Sequence, residues 1–456
     1  MLDRRTFLAA AGGALAGSAV APPVADAGPG QTVPLRGSID AVDFDMRPVA
    51  YDDQSRGFGE MLQKSSDTDV PVFLPAGTYV VSNLELPPRV RLSGVPGATR
   101  IVYGGGGHLF LAERAERVEL SGIVIDGVNG WLDDRTQALV DLRSAARVVI
   151  DNCEIVGSGK SGIALERCGG RIANTTIAGA ADVGIYAVES TRLAISGNTV
   201  SDCANGGILV HRWQPGDDGT QVTGNRVERI AARNGGTGQH GNGINVFRAD
   251  NVIVSGNMVS DCAFSAIRAN SASNLQISGN TCLRSGETAL YAEFAFEGAI
   301  ISGNIVDGAA NGISIVNFNE GGRMAVCSAN IVRNLTGSGP YPADAPGFGV
   351  GISVEADTSV TGNVIEGAPL FGMNIGWGPF MRNVVATGNV VRRARTGVAV
   401  SVVRGTGSAV ISDNVFEDTP LGAIVGHEWA NPVTGDLALE GIGSRKNLVV
   451  ERNRVA

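Results

Sequence analysis

A short pattern of apolar and polar positions recurs along most of the chain. Two apolar residues precede Ser-Gly-Asn or a close variant, and one more apolar residue follows. The asparagines are Asn152, Asn174, Asn198, Asn225, Asn257, Asn280, Asn304, Asn330, Asn363, Asn389, Asn414 and Asn453. Most steps between them are 22 to 27 residues, with longer steps of 32, 33 and 39. A repeat of this length predicts one structural unit stacked on itself many times.

A second pattern lies in each unit from about residue 160 onwards. Gly or Ala precedes an apolar residue, and alternation follows, as in Gly162-Ile163-Ala164-Leu165. Alternation of this kind predicts a β-strand. A unit of about 24 residues with two short strands and no helical segment is too small for a propeller blade. We therefore predict an all-β fold, a single-stranded parallel β-helix of about 12 coils.

The N-terminus has the features of an export signal. Arg4 and Arg5 stand before Phe7 and Leu8, and an apolar stretch rich in Ala and Gly follows them. The paired arginines look like a twin-arginine signal peptide over residues 1–27. This interpretation places the mature protein outside the cytoplasm, in a periplasm or secreted.

The rest of the chain is predicted to form one domain. Residues 28–51 are interpreted as a linker or first edge, and residues 52–456 as the β-helix domain. A short helix is expected at residues 52–66, because Phe58 and Met61 recur there at helical spacing. Such a helix would cap the open N-terminal end of the solenoid.

The repeat resembles the right-handed parallel β-helix superfamily that includes the pectate lyases. Residues 72–79 (VFLPAGTY) look like the opening strand of many members, and residues 118–127 (VELSGIVIDG) look like their first full coil. With its paired arginines, the chain is similar to a family of twin-arginine-exported repeat proteins with no assigned activity. The resemblance covers residues 52–456 and implies a right-handed helix. It leaves the chemistry open, because this fold hosts lyases, hydrolases, epimerases and binding proteins.

Composition narrows the class of partner. The net charge is −9 and the basic residues are scattered, so nucleic acid and anionic membrane surfaces are not expected partners. No segment after the signal is apolar enough to span a membrane. The six cysteines show no CxxC spacing, and we expect buried thiols rather than disulfides or a metal site. A carbohydrate polymer or oligosaccharide is the expected partner, and the oligomeric state stays open.

The strand after the second landmark predicts two outward columns of side chains, because like positions stack at about 4.8 Å. The first column reads Ala164, Tyr186, Leu209, Asn245, Arg268, Tyr291, Ser314, Ser353 and Asn374. The second reads Glu166, Val188, His211, Phe247, Asn270, Glu293, Val316, Glu355 and Gly376. Three consecutive coils bring together reactive residue types, namely Asn245, Arg268, Asn270, Tyr291 and Glu293. An inert sheet face with an Arg–Glu pair across coils explains this patch equally well.

The longer repeats point to the same face. Insertions in a solenoid become loops that often form a binding wall. Two of them carry His211, Trp213 and His240 just before the polar patch. Trp213, Phe294 and Trp377 are candidate platforms for stacking on sugar rings, although packing under a loop explains them as well.

Three functions fit these residues. Proton abstraction beside a uronate carboxylate, giving elimination or epimerisation, would use Arg268 and either asparagine of the patch to neutralise the carboxylate. His240 or His211 would be the base and Tyr291 the acid. Glycoside hydrolysis would pair Glu293 with Glu355.

The third function is a non-catalytic sugar-binding or scaffold protein. No cofactor is predicted for any of the three. Lyases of the superfamily use calcium, but no Asp cluster in this sequence has the spacing expected of calcium ligands.

Overall fold

The protein is a right-handed parallel β-solenoid of about 14 turns. The computed structural model describes residues 37–316 and 321–456. Each complete turn contributes one strand to each of three faces, which we call A, B and C in chain order. The fold prediction is confirmed. The turns outnumber the 12 predicted coils because the first turns lack the asparagine.

Face A contains sixteen strands. They are Ile39–Asp40, Val72–Phe73, Arg89–Ser93, Arg117–Ser121, Arg147–Asp151, Gly170–Ala173, Ala194–Ser196, Gln221–Thr223, Ile253–Ser255, Leu275–Ser278, Glu297–Ser302, Arg323–Ser328, Ala356–Thr361, Arg382–Thr387, Ala409–Ser412 and Leu448–Glu451. Every pair of neighbours in this ladder is parallel.

Faces B and C join into one sheet, because Val364–Ile375 and Val390–Ser401 run through both. The other face B strands are Val49–Asp53, Gly77–Val81, Thr99–Tyr103, Val124–Asp126, Glu154–Val156, Thr176–Ala178, Thr199–Ser201, Arg226–Ile230, Met258–Cys262, Thr281–Leu283, Ile305–Asp307, Ile331–Arg333, Val415–Glu417 and Arg454–Val455. The other face C strands are Leu84–Glu85, Phe110–Glu113, Ala138–Arg143, Ser161–Glu166, Val183–Val188, Gly206–Asp217, Asn242–Asp250, Ile267–Asn270, Thr288–Glu293, Asn311–Val316, Val350–Val354 and Ile424–Glu428. The final face C strand pairs antiparallel with Asn431–Asp436.

Alternation places one set of side chains inside the solenoid on every coil. On face C the inward position is an aliphatic residue or Met at each turn from Val140 onwards, and successive coils are in register. These residues are buried: Ile163, Ile185, Ile208, Ile244, Ile267, Leu290, Ile313, Ile352, Met373, Val398 and Ile424. The core is therefore a continuous aliphatic stack along the solenoid axis.

The repeated asparagines stack inside the turn between faces A and B. The Oδ1 of Asn225 accepts from the backbone N–H of Asn198 at 3.0 Å and from its Nδ2 at 2.9 Å. The Nδ2 of Asn198 also donates to the Ile172 carbonyl at 3.0 Å. The same set repeats from coil to coil up to Asn453. These asparagines therefore form a side-chain ladder along the solenoid, which we call the asparagine ladder.

The left-handed backbone of this turn lies one residue before most of the ladder asparagines. Gly197 before Asn198 has a φ of +66°, and most other coils likewise place Gly there. Asn152 and Asn174 themselves have positive φ, so they occupy the glycine position of their coils. In the coil of Asn174, Thr175 takes the ladder position, and its N–H donates to the Oδ1 of Asn198. Two of the twelve asparagines therefore hold the turn without joining the ladder.

A helix at Ser55–Thr68 follows the first strands. Phe58, Met61 and Leu62 are buried on its inner side, as the helical spacing predicted. Its role as an end cap stays a prediction. Three shorter helical segments are Ala41–Phe44, Gly378–Phe380 and Leu437–Glu440.

The proposed signal peptide at residues 1–27 lies outside the described residues. Within the assigned linker or first edge, Ile39–Asp40 and Val49–Asp53 already pair with solenoid strands. In the part of the chain that the structure describes, no helix has the length and apolar character that a membrane span requires.

All six cysteines are free and buried, as expected. Ile230 stacks on Cys262 in face B. Burial raises the pKa of Cys153 and Cys168 to about 11. These thiols therefore belong to the core.

We expect Asn304→Ala to destabilise the solenoid strongly. The substitution removes the acceptor of the Asn280 amide and the donor to the Ile277 carbonyl, all of them in a buried turn. Unsatisfied buried groups cost about 1–3 kcal/mol each, so the free energy of unfolding should fall by at least about 3 kcal/mol in urea titrations. Asn453→Ala, on the last rung, is the control and should cost less. Equal, small losses in both variants would contradict a structural role for the ladder.

Candidate functional site

The outward columns of face C have the predicted order. In the first column Asn245 pairs with Arg268, and Arg268 pairs with Tyr291 on the next coil. This column is in register from Ala164 to Asn374. The second column is in register from Glu166 to Val316. The polar patch is therefore a real feature of the sheet surface.

Arg268 forms a buried ion pair across coils. Its Nε donates to Glu293 Oε1 at 2.6 Å, and the Nδ2 of Asn270 donates to the same oxygen at 2.9 Å. The guanidinium also lies over the Tyr291 ring, with its carbon 5.3 Å from the ring centroid. Only 13% of the Arg268 side chain and 2% of the Glu293 side chain are exposed. Packing and charge thus fix the guanidinium in one orientation.

A second carboxylate, Glu287, lies on the other side of this guanidinium. Its Oε2 is 3.8 Å from Arg268 Nη1. Ser265 Oγ donates to Oε2 at 3.1 Å, and the Tyr341 hydroxyl donates to Oε1 at 2.5 Å. The strand pattern missed Glu287 because it lies in the turn just before Thr288–Glu293. Tyr341 comes from the insertion that follows the asparagine ladder residue Asn330, which signals a loop on this face.

Burial controls the ionisation of this cluster. Burial raises the pKa of Glu293 above its usual value, although Arg268 and Asn270 act to lower it. Burial opposes the Arg268 cation, yet Glu293 and Glu287 keep its pKa above the usual value. Burial and the nearby carboxylates raise the pKa of Tyr291, so its phenol is protonated at neutral pH.

One cavity of about 320 Å³ opens beside Arg268, and we call it the His211 cavity. Its lining residues are His211, Thr237, Gly238, Gln239, Asn245, Phe247, Arg268 and Asn270. Three of them each have a buried polar atom with no hydrogen-bond partner in the described structure: His211 Nε2, Asn245 Oδ1 and Arg268 Nη1. Asn245 is only 6% exposed. Buried polar atoms without hydrogen bonds cost free energy, so three such atoms on residues that line one cavity make it the candidate ligand site.

The loop over this cavity touches Arg268 closely. Gly238 has a φ of +129°, and a Cβ built on it would lie 1.4 Å from Arg268 Nη1. Its carbonyl accepts from the Nδ2 of Asn242 at 2.7 Å. Only glycine fits here, because both the backbone conformation and the space exclude a side chain.

His211 lies between two aromatic rings in this cavity. The ring centroids of Tyr186 and Phe247 are each 5.6 Å from its own, in edge-on arrangements. Burial lowers the pKa of His211 to about 4. The imidazole is therefore neutral at pH 7 and can accept a proton.

A second cavity of about 210 Å³ follows on the next coils, and we call it the Glu287 cavity. Three carboxylates line it, those of Glu287, Asp344 and Glu355, together with Tyr291 and Trp377. No Lys, Arg or His is among the described residues that line it. Trp377 also makes an edge-on contact with Trp429, with centroids 5.7 Å apart.

Some predicted site residues lie elsewhere. His240 is half-buried in the loop after Gly238. It is not among the described residues that line the two cavities. Trp213 is exposed under the Arg167 guanidinium, which is 4.7 Å from its ring. Phe294 lies in a left-handed turn with a φ of +63°. Glu293 lies beneath Arg268 and borders neither cavity.

Within residues 37–316 and 321–456, no group of three or more His, Cys, Asp or Glu side chains is arranged to hold a metal ion.

Comparison with known proteins identifies the family. The family model described as "Right handed beta helix region" matches residues 110–238 and 216–382, more than half of the chain. Comparison with curated proteins gives no significant match.

Solved structures share the fold at low sequence identity. The pre-mature gene product 12 of bacteriophage phi29 is 16% identical with a TM-score of 0.52, over 90% of this chain and 58% of that one. The catalytic unit of the GH87 α-1,3-glucanase of Streptomyces thermodiastaticus is 13% identical with a TM-score of 0.44, over 94% and 69%. The A-module of the Azotobacter vinelandii mannuronan C-5 epimerase AlgE6 is 13% identical with a TM-score of 0.40, over 91% and 98%. These likenesses concern the fold alone. The match to the family model shows that the chain belongs to the right-handed β-helix family.

Proposed function

We propose that the protein binds a carbohydrate polymer along face C and modifies a uronate unit in the His211 cavity. The observation that carries this proposal is the convergence of three unpartnered buried polar atoms there, from His211, Asn245 and Arg268. An amide oxygen, an imidazole nitrogen and a guanidinium N–H supply both acceptors and a donor. Sugar hydroxyls and carboxylates together need that mixture.

The shape of the face suits a polymer. The two cavities extend from the coil of His211 to that of Trp377, which is six coil steps, or about 29 Å at the usual strand spacing. Tyr291 and Arg268 form the wall between the cavities. A Trp ring at one end offers an apolar surface for a sugar ring.

In the proposed reaction Arg268 binds the uronate carboxylate and stabilises the charge that develops on it, and the Oδ1 of Asn245 accepts from a sugar hydroxyl. His211 Nε2 takes the proton from the carbon beside the carboxylate. In elimination, the electron pair forms a double bond as the glycosidic oxygen leaves with a proton. In epimerisation, a proton returns to the opposite face of the same carbon.

Neighbouring residues complete the proposed site. Tyr291 is the proposed acid, and its ring lies against the guanidinium on the side of the Glu287 cavity. Glu293 and Asn270 are positioning residues, because they orient Arg268.

Hydrolysis is the second candidate, and the Glu287 cavity favours it. Glu287, Asp344 and Glu355 line one cavity with Trp377, and paired carboxylates are what glycoside hydrolysis requires. Glu355 keeps its proposed role, with Glu287 in place of Glu293 as its partner. A uronate fits this cavity poorly, because the carboxylates would repel it.

Export is part of the proposal. Arg4 and Arg5 with the apolar stretch behind them support twin-arginine export to a periplasm or the medium. A polymer substrate outside the cytoplasm agrees with such a location.

A panel of polysaccharides distinguishes the candidates. The purified chain would be incubated with alginate, pectate and neutral glucans. Ultraviolet absorbance detects unsaturated uronates, a reducing-end assay detects hydrolysis, and NMR of the polymer detects epimerisation. Product from a uronate polymer supports the proposal, and reducing ends from a neutral glucan without unsaturation support hydrolysis.

We expect His211→Gln to lower kcat/KM on the uronate polymer by at least about 100-fold, because loss of a general base costs about that much. The matched control is His427→Gln. His427 is a buried face C histidine whose ring nitrogens lack hydrogen-bond partners in the described structure, and it lies far along the solenoid. Its substitution should leave kcat/KM unchanged. A similar effect of both substitutions would contradict a role for His211 in the reaction.

The pH profile of kcat/KM should have its acidic limb at unusually low pH. The pKa of His211 is lowered from 6.5 to about 4 by burial. The neutral base is therefore present above pH 4 and is lost as the pH falls through that value. We expect kcat/KM to stay level from neutral pH down to about pH 5 and to fall below about pH 4. A midpoint near pH 6.5 would mean that an exposed histidine is the base instead.

A further inference from the structure

An uncharged apolar surface runs along the corner between faces A and B in the last third of the chain. Two aliphatic columns flank it, each in register from coil to coil. The face A column is Ile300, Val326, Ser359, Val385, Val410 and Val449, and the face B column is Ile305, Ile331, Val364, Val390 and Val415. We call these eleven residues the corner surface.

The corner surface is solvent-exposed to an extent that is unusual for aliphatic residues in rows. Eight of its residues are 37% to 44% exposed. A column of hydroxyl residues lies between the two aliphatic columns: Ser302, Ser328, Thr361, Thr387 and Ser412. The aliphatic residues alone leave an apolar area on the order of 500 Å², which is in the range that marks interaction sites on soluble proteins.

The apolar character is regional. In the same two columns earlier in the chain, Gln221 and Gln276 occupy face A positions, and Thr176 and Arg226 occupy face B positions. Ile253 and Met258 are the exceptions there. The strand structure by itself therefore does not require aliphatic residues on this surface.

Charged residues border the corner surface and pair with one another. On the face B side, Arg333 binds Asp307 at 2.9 Å and Arg392 binds Glu417 at 2.7 Å. On the face A side, Arg323 binds Glu297 at 2.7 Å, and a further Arg–Asp pair joins residues 382 and 357 at 3.0 Å. An apolar centre within a polar rim is the usual anatomy of a protein interface.

We propose that the corner surface binds the same surface of a second copy of this chain, giving a homodimer. The rows on the surface repeat at the strand spacing of about 4.8 Å, and a second copy brings rows of identical spacing. The surface has no charge that would select a partner of opposite sign. Closed two-fold pairing of one patch with itself is also the commonest way soluble proteins assemble.

The available area is sufficient for such a dimer. The corner surface covers six coils, which is about 24 Å along the axis. With the hydroxyl column and its rim, it reaches the order of 800 Å² per partner that stable interfaces bury. The proposed carbohydrate groove lies on face C, so pairing at the corner between faces A and B leaves it open.

The test is the mass of the full chain in solution, measured by light scattering and sedimentation velocity. We expect about twice 46.9 kDa for the full-length chain, or twice the correspondingly smaller mass if the signal has been removed. Ile331→Glu combined with Val385→Glu should give single-chain mass, with dissociation raised at least 100-fold. The milder Ile331→Thr with Val326→Thr keeps β-branched side chains and should weaken the dimer without threatening the fold.

Matched controls lie in the same columns outside the surface. Gln221→Glu and Thr176→Glu add the same charge at equivalent positions, and they should keep the dimer. Circular dichroism melting checks that every variant is folded. A parent chain of single mass up to high micromolar concentration would overturn the proposal, as would a dimer that survives in both sets of corner variants.

Discussion

The structure depends on the stacking of identical turns, and the buried asparagine ladder fixes that stacking. Each ladder asparagine accepts from the backbone N–H and the side-chain amide of the asparagine one coil before it, and it donates to a backbone carbonyl of that same coil. A parallel ladder of backbone hydrogen bonds by itself tolerates a shift in register, but a side chain that serves three buried groups does not. Because the asparagines fix the phase of every coil, they also fix which residues of face C point outward.

Periodicity explains which parts of the site were predictable from the sequence. Asn245, Arg268 and Tyr291 fall into one column because the side-chain period of a strand is two and the coil repeats. The positions of residues outside that period could not be predicted in this way. Glu287 lies in a turn, and Tyr341 reaches it from an insertion 54 residues further on. His211 falls in the second outward column and lines the cavity, whereas His240 lies in a loop, where no period fixes its position.

The ladder shows the same limit. Asn152 and Asn174 match the repeat by residue type, yet the alignment of the turn is displaced by one residue there. Residue type alone does not distinguish an asparagine with left-handed backbone from one that bonds across coils, since Asn suits both.

The electrostatics of the patch follow from one cation between two carboxylates. Glu293 accepts from Arg268 Nε, whereas Glu287 lies 3.8 Å from Nη1, which has no hydrogen-bond partner among the described residues. The ion pair across coils that a purely structural interpretation predicts is therefore present. It also presents a fixed donor to the cavity, so the structural and functional interpretations of Arg268 are compatible. A buried pair of this kind is expensive to assemble, and orientation of a binding group is one reason to retain it.

The proposed function requires that a ligand binds Arg268 under the Gly238 loop. The most direct measurement is calorimetric titration of short alginate and pectate oligosaccharides into the parent chain, Gly238→Ala and Gly235→Ala. Both glycines have positive φ in one loop, but a Cβ on Gly235 meets nothing within 4 Å, whereas one on Gly238 overlaps the guanidinium. We expect equal binding by the parent and Gly235→Ala. Binding by Gly238→Ala should be at least about tenfold weaker, which is a loss of about 1.4 kcal/mol of binding free energy. Equal affinity in all three proteins, or no binding by the parent, would contradict it.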